Sequence, residues 1–251
     1  MSRSFDELVA EAVAAPIDGW DFSWLDDRAS EQRPSWGYQR LMSQRLAAAS
    51  AALDIDTGGG EVLAGATSFP PTMVATESWP PNAALATALL HPRGVVVVAT
   101  GDESTLPFAD EAFDLVTSRH ATVVRWREIA RVLRPGGSYL AQQIGPATMR
   151  ELFEFFLGPQ PAKWAELEPD TQTAQARAAG LEVVQMRMER LRSEFFDVGG
   201  IIYFLRKVIW TVPDFSVERY RERLHAMHER IETDGVFVAH ATRLLVEARK
   251  P

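Results

Sequence analysis

The sequence predicts a doubly wound α/β fold, with a mostly parallel seven-stranded sheet, helices on both faces and a helical, aromatic-rich lid. Three observations carry that prediction. Short apolar runs of strand length alternate with segments of helical periodicity, the order that builds a parallel sheet through right-handed crossovers. The first of those runs, residues 51–55, leads into Asp56-Thr57-Gly58-Gly59-Gly60, a turn ahead of a helix where backbone amides face outward beside a helix N-terminus and suit an anionic group. A second strand, residues 73–77, ends in Glu77, at about the separation where dinucleotide-binding folds set a ribose-binding carboxylate.

Each element has its own signal. Residues 4–14 carry helical spacing behind a capping Ser4, and Pro16 with Gly19 ends that pattern. Trp20, Phe22, Trp24, Trp36 and Tyr38 crowd the next stretch, either as a lid over a pocket or as aromatics packed on the core. An Ala- and Leu-rich helix over 38–52 leads to the glycine turn, and a helical segment opens at Glu61. Ser78 to Asn82 breaks the pattern, 83–90 is a helix, and Pro92 with Gly94 closes it. The β-branched run 95–99 reads as a buried strand, and 113–118 as a fourth strand ending at Arg119-His120. A helix over 123–133, stopped by Pro135-Gly136-Gly137, precedes strand five at 138–144. Residues 147–180 read as helix broken by Pro159, Pro161 and Pro169, then 181–188 as strand six. An aromatic insertion over 195–210, a charged helix over 217–232 and a last strand at 242–248 complete the chain. The expected division is a cap at 1–50, a core at 51–190, a helical insertion or lid at 191–235 and a final core strand within 236–251.

Composition narrows the function. A chain of 251 residues has ample length to bury a core, and its 46% hydrophobic and 24% charged residues are ordinary for a soluble protein. No apolar run approaches the ~20 residues of a membrane helix, and the N-terminus lacks a signal-peptide layout, which places the protein in the cytoplasm. Zero cysteines exclude disulfides and thiol nucleophiles, and none of the five histidines forms a metal-ligand pattern. The net charge of −8 argues against non-specific nucleic-acid binding. No feature fixes an oligomeric state.

Four ordered matches resemble the class I S-adenosylmethionine-dependent methyltransferases. They are Leu53-Asp54-x-x-x-Gly58-x-Gly60, the acid Glu77 followed by Ser78-Trp79, the run Gly101-Asp102-Glu103 to Phe108, and Phe113-Asp114-Leu115-Val116 with Leu133-Arg134-Pro135-Gly136-Gly137. The resemblance implies S-adenosylmethionine as cofactor. Asp54, Asp56, Thr57, Gly58, Gly59 and Gly60 would surround its amino acid end, Glu77 its ribose, and Ser78 and Trp79 the adenine. Asp102 and Glu103 would also meet the adenine, with Ser118 and Arg119 at the end of the fourth strand. Asp56 stands where the family usually has glycine; it either accepts from the cofactor ammonium or repels its carboxylate.

The implied reaction is in-line methyl transfer to a small-molecule acceptor, in which alignment does most of the work. His120 is the best-placed general base, against the alternative of a structural or solvated histidine. Gln142 and Gln143 end strand five on opposite faces, where one side chain reaches the substrate or both satisfy loop backbone. Tyr38 and Tyr203 are the lid aromatics expected to select the acceptor. The rival readings are an RNA-base methyltransferase using Arg206, Lys207, Arg219, Arg221 and Arg223, and a non-catalytic module of the same fold. A nicotinamide dehydrogenase would want glycine at Leu63.

Overall fold

A computed structural model describes residues 3–17, 19–101, 105–121, 123–160 and 164–251. In chain order its elements are α1 (Phe5–Ala14), β1 (Ala29–Glu31), α2 (Tyr38–Ala48), β2 (Ala51–Ile55), α3 (Glu61–Ala64), β3 (Thr72–Glu77), α4 (Pro80–Leu90), β4 (Val96–Ala99) and β5 (Phe113–Arg119). There follow α5 (Trp126–Val132), β6 (Leu133–Ile144), α6 (Arg150–Leu157), α7 (Pro169–Ala178), β7 (Glu182–Phe195), α8 (Val198–Lys207), α9 (Arg221–Asp234) and β8 (Phe237–Arg249). The strands stand in the order β1-β7-β8-β6-β5-β2-β3-β4. Strands β2 to β6 pair in parallel, while β1 pairs antiparallel with β7 and β8 with β6.

The fold class is the expected one, with eight strands in place of seven. The extra strand is β1, three residues without a β-branched run, held by backbone pairing to residues 193–195. A second correction concerns β4. Its valines read as a buried strand, yet it is the edge of the sheet and Val96 is 55% exposed. Strands β7 and β8 are also longer than expected, because alternating charged residues obscure their ends.

The described chain forms two compact units. The larger comprises Pro34–Pro146, Trp164–Glu189 and Arg243–Pro251. On one face of its sheet, Tyr38, Met42 and Leu46 of α2, at four-residue spacing, pack with Ala52, Leu115, Leu140 and Leu245. On the other face Trp126 and Ile129 of α5 pack with Leu53, Val116, Tyr139 and Val246. The chain leaves β2 toward β3 and β4 on one side, then returns to β5 on the other. This reversal is the switch point outside whose carboxyl ends such sheets bind ligands.

The smaller unit comprises Met1–Arg33, Ala147–Lys163 and Arg190–Thr242. Ser4 and Glu7 cap α1 reciprocally. Helix α8 lies close to α1, because a Cβ at Gly199 would come 3.2 Å from the Leu8 carbonyl. Arg28 ties the same region together, pairing with Asp197 at 3.2 Å and Glu11 at 2.5 Å while lying over the Trp24 ring.

Candidate functional site

The site is built where β2 ends. Asp54 is buried and accepts a hydrogen bond from Thr117 Oγ1 at 2.5 Å. Burial pushes its carboxyl up to about 6, against the hydrogen bond from Thr117 that lowers it. Beyond it, Asp56, Gly58 and Gly60 all adopt positive φ, at 55°, 65° and 87°. Asp is one of the few side chains that visits this region, which is how it stands where glycine would be expected. Its carboxylate Oδ1 lies 3.9 Å from Nη1 of Arg125, both side chains being largely buried. The turn is tied to β3 through Thr57 N, which donates to Thr76 O at 2.9 Å. Gly60 is required twice over, since a Cβ there would also meet Leu90 Cδ1 at 2.9 Å and Ala86 Cα at 3.3 Å.

Glu77 closes the cradle from β3. Its Oε2 accepts from Gly58 N at 2.7 Å and its Oε1 from Trp79 N at 2.9 Å, so one buried carboxylate links the glycine turn to the start of α4. Each oxygen retains acceptor capacity. Ser78 is half-buried and the Trp79 ring is exposed beside it. Around this corner Asn82 Oδ1 and Thr100 Oγ1 are buried without a hydrogen-bond partner among the described residues. Asp102 and Glu103 lie outside the described residues. The run after them is pinned from α5: Leu106 N donates to Glu128 at 2.7 Å, and Arg131 donates to the carbonyls of Leu106 and Phe108 at 2.9 and 2.7 Å.

The opposite rim is formed by β5 and β6. Ser118 Oγ and Tyr139 Oη are 2.7 Å apart, and burial raises the Tyr139 phenol to about 12. Tyr38 Oη donates to Ser118 O at 2.8 Å, which makes it a buried brace of the strand end. The glutamines diverge as strand alternation requires. Gln142 Oε1 accepts from Trp36 Nε1 at 2.8 Å, and its Nε2 meets His120 Nε2 at 3.1 Å. Gln143 faces Tyr139, and its Oε1 is buried without a hydrogen-bond partner among the described residues. His120 is half-buried at φ 57°, and burial, with the charges of Arg119 and Arg243, holds its imidazolium well below the ordinary range. Arg119 itself is exposed.

Asp54, Asp56, Thr57, the three glycines, Glu77, Ser78, Trp79, Ser118, Arg119, His120, Tyr38 and both glutamines thus lie in one unit. Tyr203 lies in the other, buried against Trp24 at a ring distance of 4.8 Å, with its hydroxyl donating to Asp21 O at 3.1 Å. The basic residues weighed for RNA are engaged locally. Arg206 donates to the Ala12 carbonyl, Lys207 to Tyr203 Oη, and Arg223 to Phe155 O, while Arg219 and Arg221 face Asp214 and Asp6. Among the described residues no metal-binding cluster is present and no helix is long and apolar enough to cross a membrane. Sequence reasoning missed Arg125, Asn82 and Thr100. Only their position at strand and helix ends hints at a role, and their spatial neighbours are remote in the chain.

Residues 53–141 match the family model of a methyltransferase domain. A 70-residue stretch is 37% identical to the biotin biosynthesis bifunctional protein BioHC of Cellvibrio japonicus (strain Ueda107), a match that covers 25% of this chain and only 13% of that protein. Among solved structures, a provisionally assigned methyltransferase from Bacillus halodurans C-125 superposes with a TM-score of 0.59 at 22% identity, covering 85% of this chain and 98% of that one. The YcgJ protein from Bacillus subtilis gives 0.56 at 17% identity, with 85% and 97% covered. A functionally unknown protein from Deinococcus radiodurans R1 gives 0.60 at 15% identity, with 89% and 91% covered. At these identities the structural likenesses speak for the fold alone.

Proposed function

We propose that this chain, whose residues 53–141 match the family model of a methyltransferase domain, is a class I S-adenosylmethionine-dependent methyltransferase that transfers a methyl group from S-adenosylmethionine to a small-molecule acceptor. One observation carries the reading. Glu77 and the glycine turn are joined by the 2.7 Å bond from Gly58 N, inside the matched segment. The residues fit the cofactor's chemistry: a buried carboxylate with spare acceptor capacity suits ribose hydroxyls, and the Asn82 and Thr100 oxygens, without a hydrogen-bond partner among the described residues, offer further polar contacts. When bound, the cofactor supplies a methyl group on a sulfonium, an electrophile that needs no covalent enzyme intermediate.

In this reading Glu77 takes the ribose, Ser78 and Trp79 border the adenine together with Asp102 and Glu103, and Gly58 to Gly60 receive the amino acid end. Asp54, Asp56 and Thr57 line the strand end, and Ser118 and Arg119 close the β5 side. Arg125 balances the Asp56 charge, which keeps a carboxylate tolerable at the turn. The protein's contribution is alignment in a fixed frame.

Incubation with methyl-labelled S-adenosylmethionine, a panel of small acceptors and total RNA tests the proposal. Label is expected in the small-molecule fraction and is lost in Glu77→Ala. Label recovered only in RNA would overturn the acceptor class, and cofactor binding without any transfer would overturn the enzyme reading.

A further inference from the structure

Trp36, Gln142 and His120 form a hydrogen-bonded chain whose donor and acceptor roles follow from chemistry alone. An indole nitrogen only donates, so the Gln142 atom 2.8 Å from Trp36 Nε1 is the amide oxygen. The other end of that amide is then its NH2 group, and it faces His120 Nε2 at 3.1 Å. An imidazole nitrogen that accepts carries no proton, so the neutral ring holds its proton on Nδ1. The backbone doubles the restraint, with His120 N donating to Gln142 O at 2.7 Å.

Strand register sets two cations around this chain. Arg119 is the register partner of Gln142 across β5 and β6, and Arg243 is the partner of Ile144 across β6 and β8. Gln142 and Ile144 are two residues apart, so both arginines stand on the face to which the Gln142 side chain points. The sheet order puts them on the strands either side of β6.

We propose that this rim receives a carboxylate of the methyl acceptor. His120, held by Trp36 and Gln142 as the Nδ1–H tautomer, donates a hydrogen bond to it, and Arg119 and Arg243 balance its charge. The substrate assignment rests on the methyl-transfer reading above; the tautomer does not. With its lone pair already engaged, His120 binds the acceptor and removes no proton from it, which replaces the general-base role expected from its position. Trp36 and Gln142 are positioning residues.

Nitrogen-15 NMR of the full chain tests both parts, with the His120 signal assigned by its loss in His120→Gln. The wild type is expected to show a neutral ring protonated on Nδ1, with no titration between pH 5.5 and 8.5. Gln142→Glu replaces the donor by a carboxylate and should bring proton uptake at Nε2 into that range. A wild-type ring protonated on Nε2, or one titrating at the ordinary midpoint, would overturn the lock. Acetate and acetamide, small enough to enter any such rim, test the anion. Acetate should shift the Nδ1 signal saturably, acetamide should not, and Arg119→Gln should weaken the acetate effect by about tenfold, the loss of one charge-assisted contact. Equal responses to the two, or none to acetate, would overturn the carboxylate assignment. Displacement of acetate by S-adenosylhomocysteine would give the rim to the cofactor's own carboxylate, whereas persistence at saturating S-adenosylhomocysteine supports an acceptor site.

Discussion

Replacing Asp54 by Asn should make the ligand-free protein more stable at neutral pH. Burial raises the Asp54 carboxyl from its ordinary 3.8 to about 6, with the neighbouring Asp56 charge acting in the same direction and the Thr117 bond opposing both. Between those two values the folded state holds a proton that the unfolded state has released, so stability falls as pH rises through that window and stays flat above it. The rise corresponds to about 3 kcal/mol at pH 7, an upper figure because a buried group relaxes on ionising. Asn keeps an oxygen to accept from Thr117 and removes the ionisation. Urea unfolding of both proteins at pH 4, 5, 6 and 7.5 measures the effect. The difference between variant and wild type should be smallest at pH 4, grow in favour of the variant toward pH 6, and then level. A variant less stable than wild type at pH 7.5, or a difference independent of pH, would refute the claim that Asp54 is held at an ionisation cost.

Other perturbations read different parts of the frame. Gly60→Ala places a Cβ at positive φ and against Leu90 and Ala86, so a stability loss of about 2 kcal/mol or more is expected by denaturant unfolding. Tyr38→Phe removes the donor to the buried Ser118 carbonyl and should cost about 1–2 kcal/mol, with faster hydrogen exchange along β5. Arg131→Met releases the Leu106 and Phe108 carbonyls and the Glu128 carboxylate, and the Leu106 amide, which donates to Glu128, should exchange faster than in wild type.

The parts of this molecule legible in the sequence are those set by local pattern. The β2 run and its glycine turn and the acid at the end of β3 each fall where local chemistry puts them, whereas Pro135-Gly136-Gly137, expected as the stop between a helix and strand five, lies inside β6. What local pattern could not supply is strand order. The valines of β4 look like a buried strand because β-branched runs usually are, but position at the sheet edge depends on which strand pairs last. The far half of β7 was hidden by Arg190, Arg192 and Glu194, which alternate with the buried Leu191, Ser193 and Phe195 and resemble a loop in composition. At the candidate site, the turn residues are legible together because they share one chain segment. Arg125, which meets Asp56 from the start of α5, is not, because nothing near it in sequence marks the contact. His120 is legible by its position at the end of β5, but its link through Gln142 to Trp36 is not, because sequence offers Trp36 only as one aromatic among several.

The most direct test of the central claim is calorimetric titration of the purified chain with S-adenosylhomocysteine, alongside Glu77→Ala with its fold verified by circular dichroism. Saturable one-site binding to the wild type and its loss in the variant are expected, since Glu77 joins the glycine turn to the start of α4, where the proposal sets the ribose. Folded wild-type protein that binds neither S-adenosylhomocysteine nor S-adenosylmethionine, or a variant that binds as well as wild type, would contradict it.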